Sequence, residues 1–132
     1  MTENFETTRL GASVDAIAPD GSDVRILARV AGGSMAHFSL GPRAVSVAVR
    51  HRTISEIWYV LGGLGQMWRS QDGRAEVVDL VTGTVLTIPV GTSFQFRSTS
   101  DAPFTGIGVT MPPWPGADEA VIVDGPWEPG SR

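Results

Sequence analysis

The sequence predicts an all-β fold in one domain, and three observations carry that reading. Short runs rich in Val, Ile, Thr and Phe alternate apolar with polar residues, the period of a half-buried strand. Sixteen Gly and nine Pro among 132 residues cut these runs apart at close intervals. No stretch longer than one turn has helical periodicity, apart from a trace at 118–120. About ten short strands at such spacing fit a sandwich or barrel.

Residues 1–11 are polar and read as a loose arm. Ala12 to Ala18 and Asp23 to Val30 flank Pro19-Asp20-Gly21-Ser22, a turn signal, and read as a hairpin. Ser34 to Leu40 alternates through Ala36, Phe38 and Leu40, which places His37 on the opposite, outward or interface face. Residues 45–53 follow Gly41-Pro42 as a strand, and 55–61 as another. Residues 65–70 and 74–80 pair around Gln71-Asp72-Gly73. Gly83 to Ile88 is a short strand ending in Pro89-Val90-Gly91, and 93–99 and 104–110 complete the set. The segment 111–132 holds too many prolines for a central strand. It reads as an extended strap whose tryptophans, Trp114 and Trp127, cap the core or an interface. The chain is therefore expected to be one domain, 1–132, with its barrel core at about 12–110.

Composition excludes several functions. The net charge of −4, with no basic run, argues against nucleic-acid binding. The absence of cysteine removes disulfides, thiolate metal sites and cysteine nucleophiles. No apolar run reaches the roughly 18 residues of a membrane helix. Met1 to Glu6 lacks the basic start and apolar run of a signal peptide, so a cytoplasmic location is expected.

The chemistry concentrates between Val49 and Gly63. On a strand at 45–53, Val45, Val47, Val49, His51 and Thr53 share the apolar face, which turns His51 inward. Glu56, Trp58 and Val60 share a face on the next strand. A turn at 53–55 brings His51 and Glu56 together. An inward His and an inward Glu are costly to bury without partners, so the pair marks a candidate site.

Two motifs in this region resemble those of the cupins, small β-barrels of the jelly-roll type. Glu56 and Gly63 stand at the family's Glu-to-Gly spacing, and His51 occupies the second place of its His-x-His pair. Val49 occupies the first place. In the second motif Gly83, Pro89 and Gly91 match in type and spacing, while Phe94 stands at the His position and Ser98 at the Asn position. The resemblance covers about residues 24–110 and implies a cupin jelly-roll barrel, to which the proline-rich strap is expected to be appended.

The same resemblance implies a metal held by three His and one Glu, of which only His51 and Glu56 are present. No cofactor is therefore expected. If a divalent metal binds, its ligands are His51 and Glu56 with Gln95, a poor donor for zinc, iron or copper. The surrounding face, Thr53, Trp58, Gln66, Phe94 and Phe96, is expected to form a mostly aromatic small-molecule site. The leading reading is a ligand-binding cupin, with His51 and Glu56 available for metal-independent acid–base catalysis of an isomerase, cyclase or lyase type. The alternatives are a metal-dependent cupin enzyme (isomerase, dioxygenase or polyketide-cyclase type) and a non-catalytic sensor or dimeric scaffold. A small-molecule ligand and a second copy of the chain are the expected partners.

Overall fold

Asp20 accepts hydrogen bonds from the Ser22 amide and hydroxyl, 2.9 and 2.6 Å long, and so closes the first turn. In the structure, a computed structural model that describes residues 3–130, this turn joins β1 (Ala16–Ile17) to β2 (Asp23–Val30). Further strands follow as β3 (Gly33–Leu40), β4 (Val49–His51), β5 (Ser55–Gly62), β6 (Gly65–Gln71) and β7 (Arg74–Leu80). The series ends with β8 (Val85–Ile88), β9 (Ser93–Ser98), β10 (Phe104–Met111), a 3₁₀ turn at Ala117–Glu119 and β11 (Ala120–Ile122). All neighbouring strands pair antiparallel, in two sheets ordered β1-β2-β3-β10-β5-β8 and β11-β4-β9-β6-β7. This is a jelly-roll sandwich.

The sheets meet over an aromatic core. The Phe38 and Trp58 rings lie 4.2 Å apart, Phe96 sits edge-on to Trp58 at 4.9 Å, and Phe104 lies 5.9 Å from Phe96. Each such ring contributes about 1.5–3 kcal/mol by leaving water. The motif glycines all turn with left-handed φ: 79° at Gly63, 90° at Gly83 and 86° at Gly91. A side chain at Gly63 would also run into the Pro103 carbonyl, so both backbone and space require glycine there.

The stretch before β4 differs from the expected alternation. Ala44, Ser46 and Ala48 are the buried residues, while Val45 and Val47 are only partly covered. The C-terminal segment covers the face expected to meet solvent. Val123 N–H donates to the Ala48 carbonyl, and Val45 pairs with Gly130. The alternation then slips at Ala48-Val49, both buried, which restores Val49 and His51 to the interior. The C-terminal segment also supplies an edge strand, because β11 lacks proline and pairs with β4.

The outer face of the larger sheet exposes Ile57, Tyr59, Leu61 and Val85. His37 lies on that outer side, between Arg25 and Ile107 in the register. It is nevertheless buried, and burial together with the Arg25 charge holds its imidazole below the ordinary range.

Candidate functional site

His51 ends β4 in one sheet and Glu56 is the second residue of β5 in the other, so the pair bridges the two sheets at one end of the sandwich. Ile54, fully buried in the intervening turn, anchors the crossing. His51 Nε2 lies 2.8 Å from Glu56 Oε1, and the Trp58 indole N–H donates to Glu56 Oε2 at 2.6 Å. An ionised carboxylate only accepts, which places an N–H on His51 Nε2 and fixes the ring. Gly108, opposite Trp58 on β10, leaves room for this carboxylate: a Cβ there would stand 2.6 Å from Glu56 Oε2.

Two further carboxylates approach the pair. Glu119, from the 3₁₀ turn, lies with Oε2 4.0 Å from His51 Nδ1 and is buried. It accepts from the Arg52 amide at 2.7 Å, the Thr53 amide at 2.9 Å and the Thr53 hydroxyl. Burial alone would push the Glu119 carboxyl up. The bonds from Thr53 and Arg52 outweigh it and hold the group below its ordinary value. Asp20 reaches the same space from the β1–β2 turn. Burial pushes its carboxyl up, against the bonds from Ser22, and the Glu56 charge adds to the rise. His51 Nδ1 is buried with no hydrogen-bond partner among the described residues.

The pair and Asp20, but not Glu119, border a cavity of about 130 Å³. Asp20, His51 and Glu56 give it polar chemistry, and Val24, Phe38, Val49, Trp58 and Phe94 give it apolar walls. Ser34, Thr110 and Trp114 also border it; the two hydroxyls lie 2.6 Å apart, and the Trp114 amide donates to Ser34 Oγ at 3.0 Å.

Of the residues singled out in the sequence, the structure gathers His51, Glu56, Trp58 and Phe94 around this cavity. It places the others elsewhere. Thr53 is exposed, and its hydroxyl is engaged by Glu119. Gln66 lies on the outer face of β6, where it accepts from Arg97 and donates to Asp79. Phe96 is fully buried among Phe38, Trp58 and Phe104, and does not border the cavity. Gln95 is also fully buried, with its amide donating to the Ser46 and Trp127 carbonyls and accepting from the Trp127 N–H. That makes it a clamp on the C-terminal segment instead of a ligand.

Sequence reasoning missed three contributors. Asp20 reads as a turn former, Glu119 stands in a proline-rich tail, and Trp114 reads as a cap. None has a periodic signal that points inward.

The donor set does not fit a cupin-type metal. Val49 and Phe94, paired across β4 and β9, present carbon to the cavity where two imidazoles would be needed. Among the described residues, no cluster of three His, Cys, Asp or Glu side chains has a metal-holding arrangement. Nor is any described helix long and apolar enough to cross a membrane.

No family profile and no curated protein matches the sequence. Solved structures do match. The Bacillus subtilis oxalate decarboxylase, a protein with Mn(II) centres, is 19% identical over 81% of this chain, with a TM-score of 0.68. This chain covers only 29% of that protein's length. KdgF from Halomonas sp. is 17% identical, with a TM-score of 0.64 over 76% of this chain and 87% of its own. The coconut allergen cocosin gives 19% identity and a TM-score of 0.65 over 75% of this chain and 28% of its own. The two antiparallel sheets, the motif spacing and these likenesses together make the fold that of the cupins.

Proposed function

We propose that this cupin binds a small organic molecule in the cavity between its sheets, with the His51–Glu56 pair as the polar contact. The observation that carries the reading is a bonded pair, a buried imidazole and a partly buried carboxylate, bordering an otherwise mostly apolar, partly open cavity. Ligand sites commonly have this make-up, with apolar walls and a few convergent polar groups. A purely structural pair would sit better in a filled core than on the wall of a cavity of about 130 Å³. The pair also carries what metal-independent proton transfer requires. Glu56 faces the cavity as the proton acceptor, and His51 shares and orients that carboxylate. Such positioned catalysis contributes about 10²- to 10⁴-fold and suits an isomerase, cyclase or lyase.

A thermal-shift screen of metabolites tests the reading. A specific ligand at 100 times its Kd should add about 2.7 kcal/mol of stability. The shift should vanish in Glu56→Gln and His51→Ala. A screen in which every shift persists in both variants would remove the cavity from consideration.

A further inference from the structure

Resting on that reading, we infer that the cavity takes a compact, ring-sized molecule that donates a hydrogen bond and carries no negative charge. Three features of the cavity lead there, and they concern size, charge and hydrogen-bond balance.

Size comes first. At about 130 Å³, the space is close to that of an engineered apolar cavity of roughly 150 Å³ known to accept benzene. Its walls are rings and branched aliphatics, with Phe94 5.4 Å from His51 and 6.3 Å from Trp58. A flat, compact ligand suits them better than a sugar chain or a nucleotide.

Charge comes second. Asp20 and Glu56 both border the cavity, and Glu119 stands directly behind His51. The cation among the bordering residues is Arg29, exposed on β2. A carboxylate ligand would bring another carboxylate into a space bordered by two, with a third behind His51.

Hydrogen-bond balance comes third. The donors beside the carboxylates are already committed. His51 Nε2 and Trp58 Nε1 serve Glu56, while the Ser22 amide and hydroxyl serve Asp20. The carboxylates retain free acceptor capacity, because each oxygen carries two lone pairs. Asp20 Oδ2 takes part in none of these bonds. Between β3 and β10, Ser34 and Thr110 share one hydroxyl hydrogen bond, which leaves a single further hydroxyl proton. The acidic end of the cavity is thus rich in acceptors and poor in free donors. An alcohol, phenol or amine completes it, and an oxyanion does not.

The test is a head-group series on one ring, benzyl alcohol, benzylamine and benzoate, titrated against the full chain by calorimetry and by ligand-observed NMR. The alcohol and the amine should bind at least about tenfold more tightly than benzoate, the least that repulsion by several carboxylates should produce. Asp20→Asn should narrow that gap by admitting benzoate, an effect that a merely destabilised protein would not produce. Benzoate binding as well as the alcohol, displaceable by it, would overturn the charge and donor argument while leaving a ligand cavity in place. No binding by any of the three would overturn the ring-sized class. The metabolite screen would then decide separately whether the cavity binds other molecules.

Discussion

Trp58 and Glu56, two positions apart on β5, are joined side chain to side chain: the indole N–H donates to Glu56 Oε2 at 2.6 Å. Alternation along the strand puts both on the inner face, and the indole fixes the carboxylate that His51 shares. Trp58→Phe keeps most of the ring burial but withdraws the donor. It should cost about 1–3 kcal/mol in urea unfolding, because a buried acceptor loses its partner. Any ligand found by screening should bind more weakly to this variant, whereas an unchanged affinity would detach Glu56 from recognition.

Gly108→Ala tests the space kept for that carboxylate. Its Cβ would stand 2.6 Å from Glu56 Oε2, so Glu56 must swing and loosen its bonds to Trp58 and His51. Gly106→Ala sets the same added methyl 2.6 Å from the Phe38 ring and serves as the comparison. Both should cost about 1–3 kcal/mol as overpacked sites. Only Gly108→Ala should shift the His51 ring resonances strongly by NMR. Equal shifts in the two variants would refute the specific link to Glu56.

Phe94→Ala should be the costliest truncation at the cavity, about 3–5 kcal/mol, because it empties a nearly fully buried ring position. His51→Ala should cost less, about 1–3 kcal/mol, which is the penalty for leaving Glu56 with one partner fewer. Chemical denaturation of both variants checks the order. The reverse order would make His51 primarily a structural brace.

Converting Val49→His together with Phe94→His would surround the cavity with three imidazoles and Glu56. The two positions pair across β4 and β9, beside His51. The double variant should bind one equivalent of zinc or manganese far more tightly than the unaltered chain, as measured by calorimetry and elemental analysis. Equal affinities would mean that the backbone here does not superpose on a metal cupin's.

Two carboxylates should give the stability profile opposing limbs. Glu119 titrates below its ordinary 4.5 in the folded chain, so the unfolded chain binds the proton first. Its contribution is complete above about pH 4.5 and is lost as pH falls through the folded value. Asp20 titrates above its ordinary 3.8, so its contribution is complete below that pH and is lost as pH rises through the raised value. Asp20→Asn should therefore gain stability at neutral pH relative to the parent, and Glu119→Gln should lose it. Urea midpoints from about pH 3 to 8 measure both. A loss of neutral-pH stability in Asp20→Asn would show that the Ser22 bonds outweigh the burial of the charge.

The strands were largely legible because alternation and turn residues are local signals. The Asp23 to Val30 strand appears with the expected bounds, and the hairpin expected at 65–70 and 74–80 appears with its first strand one residue longer, to Gln71. The spacing from Glu56 to Gly63 was legible through its resemblance to the cupin motif, and Gly63, just past β5, takes the left-handed φ of 79°. Val45 and Val47 misled, because the face they occupy is decided by a segment about 80 residues away that no period can report. Gln66 was placed at the site although it alternates with the buried Met67 and so faces outward. Asp20 and Glu119 were invisible as site residues, since a turn Asp and a tail Glu are ordinary wherever the chain is solvated.

Glu119 also bears on the order in which the molecule is made. It caps the Arg52 and Thr53 amides from 67 and 66 positions further along the chain. Those amides form the turn between the strands that carry His51 and Glu56. During synthesis the β4–β5 turn leaves the ribosome well before its cap does. Until then the turn must satisfy its amides with water or with whatever binds the nascent chain. The turn that carries His51 and Glu56 therefore gains its carboxylate cap only when the C-terminal segment docks.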